Sequence, residues 1–541
     1  MSNEAPADKA GDTDLIETDF EVGQHNITPF GLDIHNPVFV ISGLSIIAFV
    51  LLTLMFQADA ATFFKWLRPA ITSTFDSFFL AAGNLFVIFC LVLIFTPMGR
   101  VRLGGSDAKP EFGYPGWFAM LFAAGMGIGL MYFGVSEPMS HFSSSMGGTT
   151  MENGVRTDWA PLGAAANDPV AARDLAMAAT IFHWGLHPWA IYAVVGLSLA
   201  FFAFNFKLPL TLRSAFYPIL GERVWGWSGH IIDTLAVFAT LFGLATSLGF
   251  GTMQALAGFN HLYGWGTGDY ARVLLISGVT ALALISVVRG LDGGVKLLSE
   301  INMVLAAALL LFIMFAGPTG EILSTAASGG MAYVKELLPL SNPFGREDAN
   351  FSQGWTAFYW AWWISWSPFV GMFIARVSYG RTVREFVICV ILIPTVLCAL
   401  WMAAFGGTAV AQVVADAQAP VAAAGQDTKL FEMVRDFPLS GILSLVGIIL
   451  VLVFFVTSSD SGSLVIDTIT AGGKTDAPVS QRVFWCIFEG LVAAVLLLVG
   501  GKEALGALQA MTVSTGLPFT IVLLVMCVSL WIGLRKAVKT A

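Results

Sequence analysis

The stretch GWTAFYWAWWISWSPFVGMFIAR, Gly354–Arg376, carries five of the chain's sixteen tryptophans within twelve residues. It is long and apolar enough to cross a bilayer as a helix. Tryptophans of membrane helices ordinarily lie at the two interfaces. Here they continue into the span, beside the helix-weakening sequence Ser365-Trp366-Ser367-Pro368. The stretch predicts either an interfacial belt with core packing or an aromatic pocket for a flat or cationic solute.

The composition indicates a membrane protein. Of 541 residues, 56% are hydrophobic and only 12% are charged, whereas soluble domains carry about 25% charged residues. Continuous apolar runs long enough to span the bilayer recur along the chain and predict an all-α polytopic membrane protein. No nucleic acid partner is expected, because the 27 lysines and arginines form no separate basic domain. The sequence holds no protease, esterase or P-loop motif, so we predict neither an enzyme nor a bound cofactor.

Twelve transmembrane spans are predicted, and their approximate limits are 37–57, 76–97, 114–136, 184–205, 231–255, 271–288, 297–316, 355–375, 386–408, 440–463, 480–500 and 515–534. An even number of spans puts both termini on one side. The tails and loops of that side carry 17 lysines and arginines, against 10 on the other. The positive-inside rule therefore predicts that both termini are cytoplasmic.

Two segments outside the spans have their own patterns. Residues 1–36 are acidic, with Lys9 the only basic residue, and lack the positive start of a signal peptide. We predict that they form a disordered cytoplasmic tail. Residues 320–337 alternate apolar and polar side chains and predict a helix lying along the outer surface, although Gly329-Gly330 interrupts the pattern.

The third and eighth spans each contain a local interruption. The third holds Gly125-Met126-Gly127-Ile128-Gly129, and the eighth holds the Ser-Trp-Ser-Pro sequence described above. Interrupted helices in corresponding halves of a chain indicate an inverted-repeat transporter whose site lies at the bilayer midplane. An offset of five spans gives the two halves opposite topology. The alternative for the glycines is close helix packing, because Gly125 and Gly129 also form a GxxxG pattern.

The fourth span adds a second aromatic group. Trp184, Trp189 and Tyr192 fall within an arc of roughly 140° on a continuous helix. Together with Trp363 they could enclose a quaternary ammonium group, which has no N–H donors and is recognised mainly by aromatic faces. His183 and His187 have the i, i+4 spacing of zinc ligands. We do not predict zinc, because the neighbouring sequence supplies no carboxylate or third ligand.

Two further polar groups lie within apolar spans. Thr457 and Ser458 follow an apolar run in the tenth span, and their hydroxyls suit a hard monovalent cation. Alternatively, they bond to the preceding helical turn or to another helix. Glu489 lies in the middle of the eleventh span. It is either a proton relay or a structural carboxyl group, and we favour the structural role.

Several of these segments together resemble the betaine/carnitine/choline transporter family. The similarity is carried by AAGMGIGLMYFGVSEP (123–138), the aromatic fourth span, WAWWISWSPFVGMFIAR with VSYGRTVREF (360–386), and FFVTSSDSGS (454–463). The resemblance covers essentially all twelve spans. It implies two peripheral helices followed by a five-plus-five inverted repeat of the LeuT-like type, in an assembly that is usually a homotrimer of the bacterial inner membrane.

The resemblance also divides the chain. The divisions are the acidic tail (1–36), two peripheral transmembrane helices (37–112), the first repeat (113–318), an outer loop with an amphipathic surface helix (319–353), the second repeat (354–534) and a short cytoplasmic tail (535–541). The surface helix matches the helix through which trimers of the family make contact.

Residue by residue, the resemblance implies a substrate site and a sodium site. The expected substrate-binding residues are Trp184, Trp189, Tyr192, Trp362, Trp363, Trp366, Gly127 and Gly129. The expected sodium ligands are the carbonyls of Ala123, Met126 and Phe454 and the hydroxyls of Thr457 and Ser458. A second sodium site of the family matches Thr240 and Phe369, but Leu244 replaces its second threonine.

Gly129 bears on the substrate. Choline carriers of the family resemble GMGID, with an aspartate at this position, whereas this chain has glycine. A glycine leaves backbone N–H groups free to meet a carboxylate, which favours a zwitterion. The resemblance therefore implies a sodium-coupled symporter of glycine betaine that acts in osmoprotection. Two hypotheses remain beside it: a proton-coupled carrier of choline or a related onium osmolyte such as carnitine or dimethylsulfoniopropionate, and a channel or osmotic sensor without coupled transport.

Overall fold

A computed structural model describes residues 18–125, 127–289, 296–501 and 504–540. The first half of the described chain contains α1 (Asn36–Met55), α2 (Gln57–Phe95), α3 (Tyr114–Gly125), α4 (Ile128–Gly147), α5 (Pro169–Trp184), α6 (Leu186–Phe206), α7 (Tyr217–Leu220), α8 (Trp227–Tyr263) and α9 (Asp269–Arg289). Two short antiparallel pairs accompany them: β1 (Asn26–Ile27) with β2 (Ile34–His35), and β3 (Met151–Glu152) with β4 (Val155–Arg156).

The second half of the described chain continues with helices joined by loops. It contains α10 (Lys296–Ala316), α11 (Thr319–Ser341), α12 (Ala349–Phe351), α13 (Ala357–Arg376), α14 (Val383–Ala415), α15 (Pro420–Ala423), α16 (Lys429–Val434), α17 (Ser440–Thr470), α18 (Val479–Gly500) and α19 (Ala504–Thr540). A π-helical turn, Ser352–Thr356, leads into α13.

Ten helices among the described residues are long and apolar enough to cross a membrane, with α5 and α6 counted together as one. The protein is therefore a multi-pass membrane protein. Two of the twelve predicted spans are not among these ten helices. They are the third, which is divided between α3 and α4, and the tryptophan-rich eighth, α13.

The interruption predicted in the third span is present. α3 ends at Gly125, and Gly127 is extended (φ −166°, ψ −172°) before α4 begins at Ile128. Met126 lies outside the described residues. α4 continues to Gly147, well beyond the predicted end of the span. Two helix ends, a carboxyl end of α3 and an amino end of α4, thus meet inside the protein.

The interruption predicted in the eighth span is wrong, because α13 is helical from Ala357 to Arg376 with Pro368 inside it. A proline lacks the N–H that would bond to the carbonyl four residues earlier, which here belongs to Ile364. The Ser367 hydroxyl donates to that carbonyl at 2.7 Å. The serine beside the proline therefore satisfies the acceptor that the proline leaves, and the helix continues.

The fourth span, expected to be one helix, is broken at Gly185 (φ −106°, ψ −126°) between α5 and α6. Pro188 has no N–H for the carbonyl of Trp184, so the helical ladder is interrupted here. A Cβ at Gly185 would lie 2.6 Å from the Ile181 carbonyl oxygen. The single-helix arc predicted for Trp184, Trp189 and Tyr192 is therefore wrong, since Trp184 belongs to a different helix.

Residues 18–35 are ordered, contrary to the predicted disordered tail. Phe20 stacks on Trp225 with ring centroids 4.0 Å apart. Asn26 donates to the Ala471 carbonyl at 2.8 Å, and Lys474 pairs with Asp33. This segment is tied to the loop that follows α17. Residues 1–17, the remainder of the predicted tail apart from Asn36, lie outside the described residues.

Two other segments differ from the structure predicted from the sequence. Residues 58–75, expected to be a loop, are the first part of α2. The segment expected to form a surface helix is α11, which continues through Gly329-Gly330. A Cβ at Gly329 would lie 2.7 Å from the Met177 Cβ, so this glycine lets α11 approach α5 closely.

The packing of the helices brings the two breaks and the tryptophan-rich part of α13 together. α13 packs against α6, α8 and α19, while α4 packs against α5, α8 and α14. The tryptophan-rich part of α13 therefore faces both the break between α3 and α4 and the break between α5 and α6. This junction lies in the protein interior, where Trp184, Trp362 and Trp363 are at most 6% exposed.

Candidate substrate and cation sites

One cavity, here called the aromatic cavity, lies at this junction. The empty space within it, counted together with its open side, is about 410 Å³. Seven of the eight predicted substrate-binding residues line it: Gly127, Gly129, Trp184, Tyr192, Trp362, Trp363 and Trp366. Ser247, on α8, also lines the cavity and was not predicted.

Trp363 is the central ring of the cavity wall. Its centroid lies 5.3 Å from that of Trp184 and 5.2 Å from that of Tyr192, both in edge-to-face geometry. Trp189 does not line the cavity. Its ring is fully buried, 5.4 Å from Tyr192 and 6.2 Å from Trp363. It therefore supports the two rings from behind and is not placed to touch a ligand.

Three of the four indoles that line the cavity use their N–H groups within the protein. Trp362 donates to the Ser247 hydroxyl at 3.2 Å, and Trp366 donates to the Gly243 carbonyl at 3.0 Å. Trp184 donates to the Glu137 carboxylate at 2.7 Å. What these side chains offer to the cavity is therefore mainly ring surface. Such a wall suits a trimethylammonium head, which carries a positive charge and no hydrogen-bond donor.

The amino end of α4 adds a complementary feature. The helix begins at Ile128, and Ile128, Gly129 and Leu130 line the cavity. The first N–H groups of a helix have no partner within it, and the helix dipole makes this end attractive to anions. A carboxylate in the aromatic cavity would meet these N–H groups.

Gly129 occupies a place where two rings approach the backbone. A Cβ at this position would lie 2.8 Å from Trp362 Cη2 and 2.9 Å from Trp184 Cη2. Nothing would obstruct a Cβ at Gly127, where no atom lies within 4 Å. The sequence explains Gly129 only by the backbone N–H groups that a glycine leaves free to meet a carboxylate. The structure gives a second reason for glycine, which is that a side chain would displace both rings.

We expect Gly129→Ala to weaken substrate binding by about fivefold to tenfold, because the added methyl group overpacks the wall at a cost of about 1 kcal/mol or more. Gly127→Ala is the matched control and should retain most of the affinity. Equilibrium binding of labelled glycine betaine to both purified variants provides the measurement. Equal losses in the two variants would contradict this account of Gly129.

A second cavity, here called the polar cavity, adjoins the first, and both are lined by Ala124 and Trp366. Four predicted sodium ligands line it: Ala123, Phe454, Thr457 and Ser458. The fifth, Met126, lies outside the described residues. The cavity lies at the carboxyl end of α3, where the last carbonyls of a helix lack partners and attract cations. Hydroxyl and carbonyl oxygens are the ligands that a hard cation prefers.

The alternative role of the hydroxyls is also visible. The Thr457 hydroxyl donates to the Val453 carbonyl at 3.0 Å. That bond uses the hydroxyl hydrogen and leaves the oxygen lone pairs available to a cation. Back-bonding and cation binding are therefore compatible at Thr457.

The residues matched to a second sodium site do not form one cluster in a cavity. Phe369 lines the polar cavity, whereas Thr240 is fully buried and lines neither of the two cavities. The Thr240 hydroxyl has no hydrogen-bond partner among the described residues. Leu244 packs tightly against α17, since a Cβ at Gly462 would lie 2.3 Å from its Cδ1. An apolar side chain thus fills the place of the second threonine.

Glu137 is a fully buried carboxylate on α4 and was not among the site residues predicted from the sequence. It accepts hydrogen bonds from Trp184 Nε1 at 2.7 Å and from the Tyr359 hydroxyl, and its Oε1 lies 2.6 Å from His183 Nδ1. His183 thus has a carboxylate partner that lies 46 positions earlier in the chain and not in the neighbouring sequence. His187 instead contacts Asn84. Glu137 directly follows the predicted third span, 114–136. A span extended by one residue would have included this carboxylate and drawn attention to it.

Glu489 is fully buried on α18. One carboxyl oxygen accepts from the Ser459 hydroxyl at 2.9 Å, and the other has no partner among the described residues. Ser459 is the neighbour of Ser458 on α17. The carboxyl group lies one helix away from the polar cavity and lines neither it nor the aromatic cavity.

A layer of rings separates the aromatic cavity from a third cavity of about 1170 Å³. Phe133 lines the third cavity, and its ring lies 5.9 Å from that of Trp362, which lines the aromatic cavity. Tyr359 lies 5.5 Å from Phe133 on the same layer. The aromatic cavity is thus covered by packed rings towards the third cavity and adjoins the polar cavity elsewhere.

A family model described as "BCCT, betaine/carnitine/choline family transporter" matches residues 37–539. A glycine betaine/proline/choline transporter of Vibrio parahaemolyticus is 64% identical over 98% of this chain and 97% of its own length. Glycine betaine transporter 1 of the same species is 55% identical over 96% of this chain and 98% of its own length. The glycine betaine transporter OpuD of Bacillus subtilis is 44% identical over 86% of this chain and 88% of its own length.

Proposed function

The chain belongs to the betaine/carnitine/choline transporter family, and from this premise we propose that it is a sodium-coupled symporter that imports glycine betaine by alternating access. It is a membrane transporter and not an enzyme. The observation that carries the substrate assignment is the aromatic cavity, where ring surfaces of α5, α6 and α13 face the amino end of α4.

A zwitterion fits both parts of this cavity. The trimethylammonium head lies against Trp184, Tyr192 and Trp363, each ring contributing about 0.5–2 kcal/mol. The carboxylate lies at the free N–H groups of α4. Glycine betaine appears in the names of all three relatives described above, and one of those names also includes proline and choline. Choline shares the onium head but has no carboxylate for α4, so we propose glycine betaine as the preferred substrate.

Sodium coupling is supported by the adjoining polar cavity. Ala123, Phe454, Thr457 and Ser458 line it, at the carboxyl end of α3. The same break therefore presents carbonyls to a cation on one side and N–H groups to an anion on the other. A sodium ion that fixes this break also fixes the amino end of α4, so each ligand raises the affinity for the other. Because Leu244 fills the second position, we propose one sodium ion at this site.

Alternating access is supported by the unequal surroundings of the aromatic cavity. Packed rings separate it from the cavity lined by Phe133 on one side. We propose that the twelve spans form two peripheral helices and a five-plus-five inverted repeat, whose rocking moves this barrier. The protein would lie in the bacterial inner membrane with both termini in the cytoplasm.

We also propose a homotrimer with α11 at its contacts. Met331, Val334 and Leu338 are each at least 69% exposed and follow helical spacing along α11, opposite the buried Ile322 and Tyr333. An apolar stripe of this kind suits either lipid or another protomer. Light scattering on the detergent-solubilised protein distinguishes a trimer from a monomer.

The function is tested by uptake of labelled glycine betaine into proteoliposomes at equal internal and external pH. We expect accumulation under an inward sodium gradient and none when potassium replaces sodium. Unlabelled choline and proline serve as competitors, and stronger competition by choline than by unlabelled glycine betaine would refute the substrate preference. Sodium-independent accumulation driven by an imposed pH gradient would refute the coupling. Accumulation against a gradient also excludes a channel.

The second candidate function is proton-coupled transport of choline or a related onium osmolyte, and the buried Glu489 favours it. We expect Glu489→Gln to retain at least half of the sodium-driven uptake, because glutamine preserves the contact with Ser459 and removes only the ability to bind and release a proton. A proton-coupled carrier would lose transport altogether with this substitution. Ser459→Ala is the control that removes the contact and leaves the carboxyl group.

A further inference from the structure

Glu137 joins three helices around the aromatic cavity. Its Oε1 lies 2.6 Å from His183 Nδ1, and its Oε2 accepts from Trp184 Nε1 at 2.7 Å and from the Tyr359 hydroxyl. His141, one turn further along α4, lies 3.3 Å from Oε1. Glu137 belongs to α4, Trp184 to α5 and Tyr359 to α13. Each of these helices contributes to the wall of the cavity.

The surroundings of Glu137 suit an ionised carboxylate. Trp184 Nε1 can only donate, and an ionised carboxylate can only accept. Oε1 faces one nitrogen of His141 and one of His183, so at least one of the two rings must donate to it. A buried charge is costly unless it is hydrogen-bonded and paired. Here four polar groups converge on two oxygens, which is the compensation that a buried charge requires.

Trp184 connects this carboxylate to the cavity. Its Nε1 is bonded to Glu137, while its Cη2, at the far edge of the indole, comes within 2.9 Å of the Cβ position of Gly129. The hydrogen bond fixes the plane of the ring. A negative charge at the N–H edge also makes the ring face more negative, and attraction of a cation to an aromatic face is electrostatic.

We propose that Glu137 is a positioning and specificity-determining residue for the positive head of the substrate, acting through Trp184. This inference rests on the proposed function and deepens it. The charge of Glu137 strengthens binding of an onium group more than binding of an uncharged group of the same shape. Glu137 does not line the aromatic cavity, so its effect is exerted through the indole.

The same cluster also resembles a metal-ligand set, because the ligand atoms of Glu137, His141 and His183 lie within 4.8 Å of one another. The hydrogen bonds argue against that use. His183 Nδ1 is at hydrogen-bonding distance from Oε1, His183 Nε2 is 2.9 Å from the Thr356 hydroxyl, and Oε2 is occupied by Trp184 and Tyr359. The groups that would bind a metal already bind one another.

The test compares two ligands of equal shape. Glycine betaine and its tert-butyl analogue, in which carbon replaces the ammonium nitrogen, differ in charge alone. Scintillation proximity binding with labelled glycine betaine gives the affinity of the first, and competition gives the affinity of the second. We expect Glu137→Gln to weaken glycine betaine binding about tenfold and the analogue less than about threefold. Glu137→Asp keeps the charge and should retain most of the discrimination.

A double-mutant cycle tests the route through Trp184. In a Trp184→Phe background, which lacks the indole N–H, Glu137→Gln should cost little further affinity. Additive losses would overturn the proposal, as would equal losses for the two ligands, which indicate a purely structural role. One equivalent of zinc in the purified protein that is lost in Glu137→Gln would also overturn it.

If the wild type binds no glycine betaine, the proposed function fails and this inference fails with it. Wild-type binding with unchanged discrimination in Glu137→Gln refutes this inference alone.

Discussion

Trp363→Ala is expected to lower glycine betaine uptake at least about 100-fold at subsaturating substrate. Trp363 contacts the rings of Trp184, Trp189 and Tyr192, so its removal deletes the central face and loosens the other three. A loss of about 2.7 kcal/mol corresponds to that factor and is ordinary for a buried aromatic anchor. Uptake into proteoliposomes and equilibrium binding give the measurement.

Two controls separate binding from folding in this experiment. Trp363→Phe keeps an aromatic face and should recover part of the affinity. Trp66→Ala removes a tryptophan that is 62% exposed and is not part of the cavity lining, and it should leave uptake unchanged. Near-normal affinity in a well-folded Trp363→Ala protein would refute the assignment of the aromatic cavity as the substrate site.

The double variant Thr457→Ala/Ser458→Ala is expected to lose the sodium response. These are the two hydroxyls of the polar cavity that the family resemblance assigns to sodium, and both residues line the cavity with Ala123 and Phe454. Without them the concentration of sodium that half-activates uptake should rise at least about tenfold, which corresponds to a loss of about 1.4 kcal/mol of sodium binding. Uptake measured across a series of sodium concentrations, at fixed total ionic strength, tests this expectation.

Thr468→Ala provides the matched control, because Thr468 lies on the same helix and its hydroxyl also donates to the carbonyl four residues earlier. It does not line the polar cavity. If the hydroxyls of Thr457 and Ser458 only support the helix, the double variant and the control should behave alike. A difference confined to sodium activation assigns the effect to the ion.

Much of the architecture could be predicted from the sequence because it depends on local composition. Ten of the expected spans appear as helices long and apolar enough to cross a membrane. The glycines at 125–129 interrupt the third span as expected. Pro368 was misleading because the adjacent Ser367 hydroxyl compensates for the missing N–H. The break at Gly185 was not predicted. Pro188 and the crowded backbone at Gly185 cause it, but the surrounding sequence has a helical pattern.

The candidate site was likewise predicted only in part from the sequence. Tryptophans within a span indicate an aromatic pocket, and seven of the eight predicted residues line one cavity. The eighth, Trp189, packs against the rings of Tyr192 and Trp363 and does not line the cavity. The residue at position 129 must be small because two rings from other helices approach it. No local sequence pattern reveals such contacts.

By itself, the sequence determined that this is a helical membrane protein, which segments are apolar enough to span the bilayer, and which aromatic and hydroxyl side chains are available at that depth. These properties are sums over neighbouring residues, since transfer into a bilayer depends on composition within about 20 residues. Only the tertiary structure decided which rings share a cavity and that Glu137 supports one of them. The hydrogen bonds of Glu137 join residues 46 and 222 positions apart, and such contacts exist only once the helices have packed.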